Sequence, residues 1–427
     1  MSHSVLSLPN ELLVAIAVAG QQDRIADLNS ETQSTTFKSE WTWSHVSQRF
    51  RDVVVGAPEL WALIETDFGS EGSVEILKLY LERSRACQIS VTLHEPSGSH
   101  LLEEGLLDRR VTRDIVPQIN RIRWLRIVLT TMNWEHEEML PPFRDVAAPC
   151  LQHLEVVSTD HDAGTDALFL SGAPRLSSLK IDGITLRLPA PAWTATLTHF
   201  DYSSGAPDID SLAAITAQCP LLVHLRLRIN YVAPDTNRFH IPTLSFLHIF
   251  ISDDGGADYL PRVVDLFHSP ALTKFIVHGS HGDQIALLLS LKSLPHSSFP
   301  ALTSLAFLMG SSQCSCDTAN HDHPSHSISS PPGIFPALSH LTLINQCYTS
   351  DLIRDILGPA SQPWPLKTIT LGVKNISFDG VRGVIEDAVV VKRQHGGSLP
   401  TVQLGCEPAW SLANWKEDIS WDVEISW

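Results

Sequence analysis

The chain has 427 residues, 43% hydrophobic and 18% charged, a soluble globular composition long enough for two or three ordinary domains or one elongated repeat array. Its 47 acidic and 30 basic residues give a formal charge of −17, and no basic block interrupts that balance, which argues against nucleic acid as a partner. Seven cysteines, mostly scattered singly (Cys87, Cys150, Cys219, Cys347, Cys406), read as reduced thiols of an intracellular protein and not as a disulfide framework.

In chain order, "LPNELLVAIAVAG" (8–20) predicts a first helix. Pro9 sits where a missing N–H is harmless, and Glu11 suits the positive end of the helix dipole. Leu12, Leu13, Ile16 and Val18 form its apolar side, and Gly20 is expected to stop it. Its apolar run is short, follows Glu11 directly and has no basic residue before Arg24, so a secretory signal is not expected. No other run approaches a membrane span, and a cytoplasmic or nuclear protein is expected. The polar stretch "NSETQSTTFKSE" (29–40) predicts a flexible loop. In "WSHVSQRFRDVVVGAPELW" (43–61), Ser44 is the expected N-cap of a second helix whose Val46, Phe50, Val53 and Val54 share one face. Gly56 ends that helix, Pro58 sets a turn and Trp61 returns toward the core. Helices are then expected over 73–84 and around 109–121, with a strand over 88–94 between them.

From there the chain repeats itself. "NRIRWLRIVL", "PCLQHLEVVS", "PRLSSLKIDG", "ATLTHFDYSS", "PLLVHLRLRI", "PTLSFLHIFI", "PALTKFIVHG", "PALTSLAFLM", "PALSHLTLIN" and "PLKTITLGVK" share one pattern: apolar, two variable residues, apolar, one variable, apolar. The first apolar positions are Ile122, Leu151, Leu176, Leu197, Leu222, Leu244, Leu272, Leu302, Leu338 and Leu366, spaced 21 to 36 residues apart. That spacing is leucine-rich-repeat-like, each copy supplying a short strand, and the Pro before several copies removes an N–H where the strand begins. Helical segments over 208–219, 259–269, 283–294 and 350–358 alternate with the strands. No single strand–helix unit buries both its faces, so neighbours must stack. The predicted fold is α/β: a small N-terminal helical unit (5–66), then a right-handed leucine-rich-repeat-like solenoid (67–427) with a parallel sheet on its concave side. Clear repeats span 120–375 and atypical caps 67–119 and 376–427, the latter with a helix over 379–397 and a last strand over 401–405.

The longest interval, Leu302 to Leu338, holds an inserted polar loop (311–333) with Cys314, Cys316, His321, His323 and His326. The ligand inventory would suffice for zinc, but the Cys-x-Cys spacing fits no standard zinc module. A loop inserted between repeats is the simpler reading, and neither metal nor cofactor is expected. No nucleophile elbow, phosphate loop or His-Glu-x-x-His motif occurs, so an enzyme is not expected, although scattered residues can converge in three dimensions.

"LPNELLVAI" followed by "WSHVSQRFRDVVVGAPELWALIE" resembles the F-box, in the form common in fungal proteins. Leu8, Pro9, Glu11, Leu12, Ile16, Val46, Ser47, Arg49, Phe50, Arg51, Pro58, Leu60 and Trp61 carry the match. The long polar link before "SHVSQRF" departs from the family, which usually has a compact apolar helix there. The resemblance implies a substrate-recruiting subunit of a cullin–RING ubiquitin ligase. Leu8, Pro9, Leu12, Ile16, Val46, Ser47 and Phe50 would then contact a Skp1-like adaptor, and through it a cullin. Leu60 and Trp61 would join the small unit to the solenoid. The alternative is a leucine-rich-repeat scaffold whose F-box-like unit only caps the array. The target protein is not legible; Arg226, Arg228 and His248, at variable strand positions, are candidate target contacts that hint at an acidic or phosphorylated ligand.

Overall fold

The computed structural model describes residues 8–28, 39–67, 71–94, 111–129, 140–158, 163–165, 168–186, 192–204, 209–232, 236–251, 258–280, 282–291, 294, 299–308, 334–344, 356, 366–373 and 401–406. The helices expected over 350–358 and 379–397, and the Cys/His-containing loop, lie outside these residues apart from Ile356. The chain divides into two compact units, Met1–Thr196 and Leu197–Trp427.

The first unit opens with three helices, α1 (Asn10–Leu28), α2 (Ser39–Ser44) and α3 (Gln48–Gly56). Gly20 does not stop α1. A Cβ on Gly20 would lie 3.0 Å from the Trp43 ring, so the glycine leaves room for an indole instead of ending a helix. Leu13, Ala17 and Gln21 follow one another at four-residue spacing along the buried side of α1. Gln21 donates to the Leu60 carbonyl at 2.8 Å and to Glu40 at 3.2 Å. Glu40, in the stretch expected to be a loop, is buried at the start of α2 and accepts the Tyr80 hydroxyl. The N-cap of α3 is Ser47 and not Ser44: Ser47 has extended backbone and its hydroxyl accepts the Phe50 N–H at 3.2 Å. Ser44 instead ends α2 and donates to the Trp41 carbonyl.

After a 3₁₀ turn at Pro58–Trp61, this unit forms a parallel sheet from β1 (Leu63–Asp67), β2 (Ile89–His94), β3 (Ile122–Leu129), β4 (His153–Ser158) and β6 (Ser178–Asp182), ordered as in the sequence. Strand β1 was not foreseen, and α4 (Glu71–Arg83) links it to β2. A small parallel pair, β5 (Ala163–Thr165) with β7 (Ile184–Leu186), lies beside the main sheet. Gly183 joins β6 to β7 with φ +73°, and a Cβ added to it would run into the Ser158 carbonyl.

The second unit continues the pattern with β8 (His199–Ser203), β9 (His224–Ile229), β11 (Phe246–Ile251), β13 (Lys274–His278), β14 (Ser304–Leu308), β15 (His340–Ile344), β16 (Thr368–Val373) and β17 (Thr401–Cys406). Each pairs in parallel with the next. A second small pair joins β10 (Phe239–His240) to β12 (Phe267–His268), stacking the two Phe rings at 4.7 Å. Helices Ile209–Thr216, Tyr259–Asp265 and Gly282–Ser290 lie between strands as the periodicity predicts. All three apolar positions of every copy from Leu197 to Leu371 are buried, Leu222, Leu225 and Leu227 being fully enclosed. The described chain is therefore a mixed α/β structure with one parallel strand per repeat.

The prolines act differently from expectation. Eight of the first apolar residues donate their N–H to the carbonyl three residues back, as Leu272 does to Ser269 at 3.1 Å and Leu302 to Phe299 at 3.2 Å. Pro270 and Pro300 thus sit at the second place of a tight turn, where a fixed φ is already correct, one turn ahead of the strand. The next residue continues a ladder from repeat to repeat. Ser245 donates its N–H to the Val223 carbonyl, Thr273 to Ser245, Thr303 to Thr273 and Ser339 to Thr303, at 2.9–3.0 Å. Each hydroxyl reaches the same carbonyl at 3.0–3.4 Å.

Candidate functional site

Two surfaces carry the predicted site residues. On the helical part of the first unit, Leu13 and Ala17 point inward, while Leu12 and Ile16 on the other side of α1 are 50% and 53% exposed. Val46, in the turn before α3, is 58% exposed. Arg49 on α3 donates to the Leu8 carbonyl at 2.5 Å and to the Asn10 side chain at 3.0 Å, which ties the start of α1 to α3. Pro9 is exposed, Leu8 and Phe50 are half-buried, and Ser47 is engaged as the cap. Large aliphatic side chains standing in water beside a well-packed interior can bind a partner's apolar surface. Behind them Leu60 and Trp61 are fully buried; Trp61 donates to the Val54 carbonyl at 2.8 Å and meets Tyr80 edge-on at 5.0 Å.

The second surface is the sheet face of the second unit that the buried leucines do not occupy. Parallel registration sets its side chains in rows. One row reads His199, His224, Phe246, Lys274, Ser304 and His340; the next reads Asp201, Arg226, His248, Ile276, Ala306 and Thr342. Rings line the first row, with His199–His224 at 4.4 Å and His224–Phe246 at 5.1 Å. Arg226 lies over the Phe250 ring at 4.6 Å and holds Asp201 at 3.4 Å. Of the candidate target contacts, Arg228 is exposed and Arg226 half-buried, but His248 is only 3% exposed, closed in by the Phe250 ring at 4.3 Å. Farther along, Ile276, Ala306 and Leu308 form a buried apolar cluster with Phe246 and Ile344 packed against it. Gln152 and His153, which occupy comparable variable positions in the first unit, are engaged: Gln152 accepts from Arg123 at 2.8 Å and His153 stacks on Trp124 at 4.9 Å.

Burial decides the protonation of this face. It pushes His199 down to about 4, with the neighbouring His224 charge as the lesser cause. His224 is lowered by burial and then by Lys274, and His248 is held well below its ordinary value by burial, then by Arg226, His278 and Lys274. The unfolded chain takes up protons at these imidazoles below about pH 6.5, whereas the fold resists them. Stability is therefore expected to be full above about pH 6.5 and to fall toward about pH 4, by at most about 1.4 kcal/mol per pH unit for each histidine. Urea midpoints across that range check this, and His248→Phe should flatten the fall; a midpoint that does not move between the two pH values contradicts it.

Sequence reasoning missed Glu40, Gln21 and Lys274, along with the Ser/Thr ladder. Only the ladder left a repeated signal, a Ser or Thr directly after the first apolar of six copies. Burial pushes the Cys219 thiol up to about 12, which removes it as a nucleophile near neutral pH. Among the described residues no three His, Cys, Asp or Glu side chains converge on a metal position, and no helix is long and apolar enough to cross a membrane.

No protein-family model matches the chain, and no curated protein matches it. Among solved structures, a chain of the crystal structure of Rad7 and Elc1 complex in yeast aligns over 89% of this chain and 98% of its own, at 11% identity and a TM-score of 0.23. That likeness is too distant to argue from.

Proposed function

We propose that the chain is a non-catalytic, substrate-recruiting adaptor of a Skp1-cullin-F-box type ubiquitin ligase, working in the cytoplasm or nucleus. Its helical segment docks on a Skp1-like adaptor, and its sheet forms the inner face of a right-handed leucine-rich-repeat-like solenoid that holds a target protein. The observation that carries this reading is the exposure of Leu12, Ile16 and Val46, at 50%, 53% and 58%, where the F-box resemblance puts the adaptor contact. An apolar helix surface of this kind fits a partner's groove or helices.

Co-purification of the full chain with Skp1 tests it. The wild-type chain is expected to retain Skp1, and Ile16→Asp combined with Val46→Asp is expected to weaken the association at least about 100-fold, since each buries a charge at the contact. Both positions face water, so the melting temperature should hardly change. The capping alternative is favoured by one observation, the complete burial of Leu60 and Trp61 beneath the helices. It expects no Skp1 association even in the wild-type chain, and that result would sink the adaptor reading.

A further inference from the structure

The sheet face of the second unit that the buried leucines leave has a chemistry unlike that of the described first unit. Across β8, β9, β11 and β13 it presents His199, Asp201 and Ser203; His224, Arg226 and Arg228; Phe246, His248 and Phe250; and Lys274, Ile276 and His278. Three fixed cations stand there against one carboxylate, within a chain whose formal charge is −17. In the first unit the comparable row is internally paired, since Glu155 lies between Arg126 at 3.4 Å and Lys180 at 2.7 Å.

His248 supplies a second, independent observation. It is 3% exposed, it lies between Arg226 and Ile276 in its row, and both of its ring nitrogens are without a hydrogen-bond partner among the described residues. A buried imidazole normally finds such a partner, and an unpaired polar group costs about 1–3 kcal/mol. The rings beside it are Phe250 at 4.3 Å and the parallel His278 at 6.4 Å, neither of which repays that cost as a hydrogen bond would.

We propose that this face binds an extended acidic peptide, with side-chain carboxylates over Arg226, His248 and Lys274 and an intervening apolar side chain against Phe246 and Phe250. Charge complementarity selects the occupant: an anionic segment is drawn to a cation-rich surface of an otherwise acidic chain. Single carboxylates fit better than a phosphoryl group. A dianion favours clustered, bidentate arginines, whereas Arg226 already shares its charge with Asp201 and Lys274 stands two strands away. The two half-buried Phe rings, set on one strand at the spacing that returns to the same face, offer the apolar contact. The peptide's role as part of a ligase target rests on the adaptor reading above; its binding does not.

Fluorescence anisotropy with the full chain tests the assignment, using a labelled peptide of alternating Glu and Leu or Phe, the same peptide with Gln for Glu, and one with phosphoserine for Glu. The Glu peptide is expected to bind at least about tenfold more tightly than the Gln peptide, and less tightly at high salt. Arg226→Glu and Lys274→Glu should each weaken it about tenfold or more, and His248→Phe, which keeps the ring packing but not the nitrogens, about threefold. Arg175→Glu, an exposed change in the first unit, should leave it unchanged. Equal affinity for the Gln peptide, no binding, full binding by the Lys274→Glu chain, or binding of the phosphoserine peptide alone would each overturn the proposal. Skp1 retention, measured on the same variants, separates the two readings. Ile16→Asp with Val46→Asp should lose Skp1 but keep the peptide, whereas Lys274→Glu should do the reverse.

Discussion

Trp61→Ala is expected to lower the unfolding free energy by about 3–5 kcal/mol, the upper range for truncating a buried aromatic. The indole is 1% exposed, its N–H satisfies the Val54 carbonyl at 2.8 Å near the end of α3, and its ring meets Tyr80 edge-on while Arg83 covers it at 4.2 Å. Removing it opens a cavity where α3, α4 and the 3₁₀ turn converge and leaves that carbonyl only the longer bond from the Ala57 N–H at 3.4 Å. Trp61→Phe keeps most of the ring and loses the hydrogen bond, so a smaller loss of about 1–2 kcal/mol is expected. Urea unfolding of the full chain, followed by circular dichroism, measures both. Equal losses for the two variants would show that the hydrogen bond, not the packing, carries the effect.

The second large effect belongs to Gly183→Ala, with an expected loss of about 4 kcal/mol. An added Cβ would sit 1.9 Å from the Ser158 carbonyl oxygen, a backbone atom at the end of β4 that no side-chain rotation can move aside. The φ of +73° adds left-handed strain of about 1–2 kcal/mol. Gly172→Ala separates the two causes, because its φ is +106° but nothing lies within 4 Å of the new atom. Its loss should stay near the strain alone, about 1–3 kcal/mol. If the two alanine variants unfold at the same urea concentration, the close approach of Gly183 to Ser158 contributes nothing.

The strands were legible because their signal is repeated. A lone "HLRLRI" is ambiguous, but ten segments with the same three apolar positions mark strands that stack, and every one became a strand. Single residues misled where a local rule met a tertiary contact. Gly20 looked like a stop because glycine favours helix ends, and only the Trp43 ring, far along the chain, explains its place inside α1. Ser44 and Ser47 are equally good caps by type; the choice depends on which hydroxyl meets the Phe50 N–H. Glu40 was hidden in a polar stretch, since nothing local tells a buried carboxylate from a solvated one when its partners are Gln21 and Tyr80. Of the positions chosen from the motif, Leu12, Ile16 and Val46 are exposed and Leu8 and Phe50 half-buried. The burial of His248 was not readable, because alternation assigns a face to a residue but not what leans over it.

The hydroxyl-bearing ladder between turns has a consequence for how such a chain can be lengthened or shortened. Thr273 and Thr303 make the same two bonds to the turn before them, and Ser269-Pro270 and Phe299-Pro300 open the same turn. Excision of residues 272–301 would splice Ala271 to Leu302 within an unchanged turn and bring Thr303 to the Ser245 carbonyl that Thr273 had used. Strand β14 would then register against β11 with its buried leucines still in line. The unit of change in this protein is thus a whole module with interchangeable joints, and loops on the far side can vary in length without disturbing the splice.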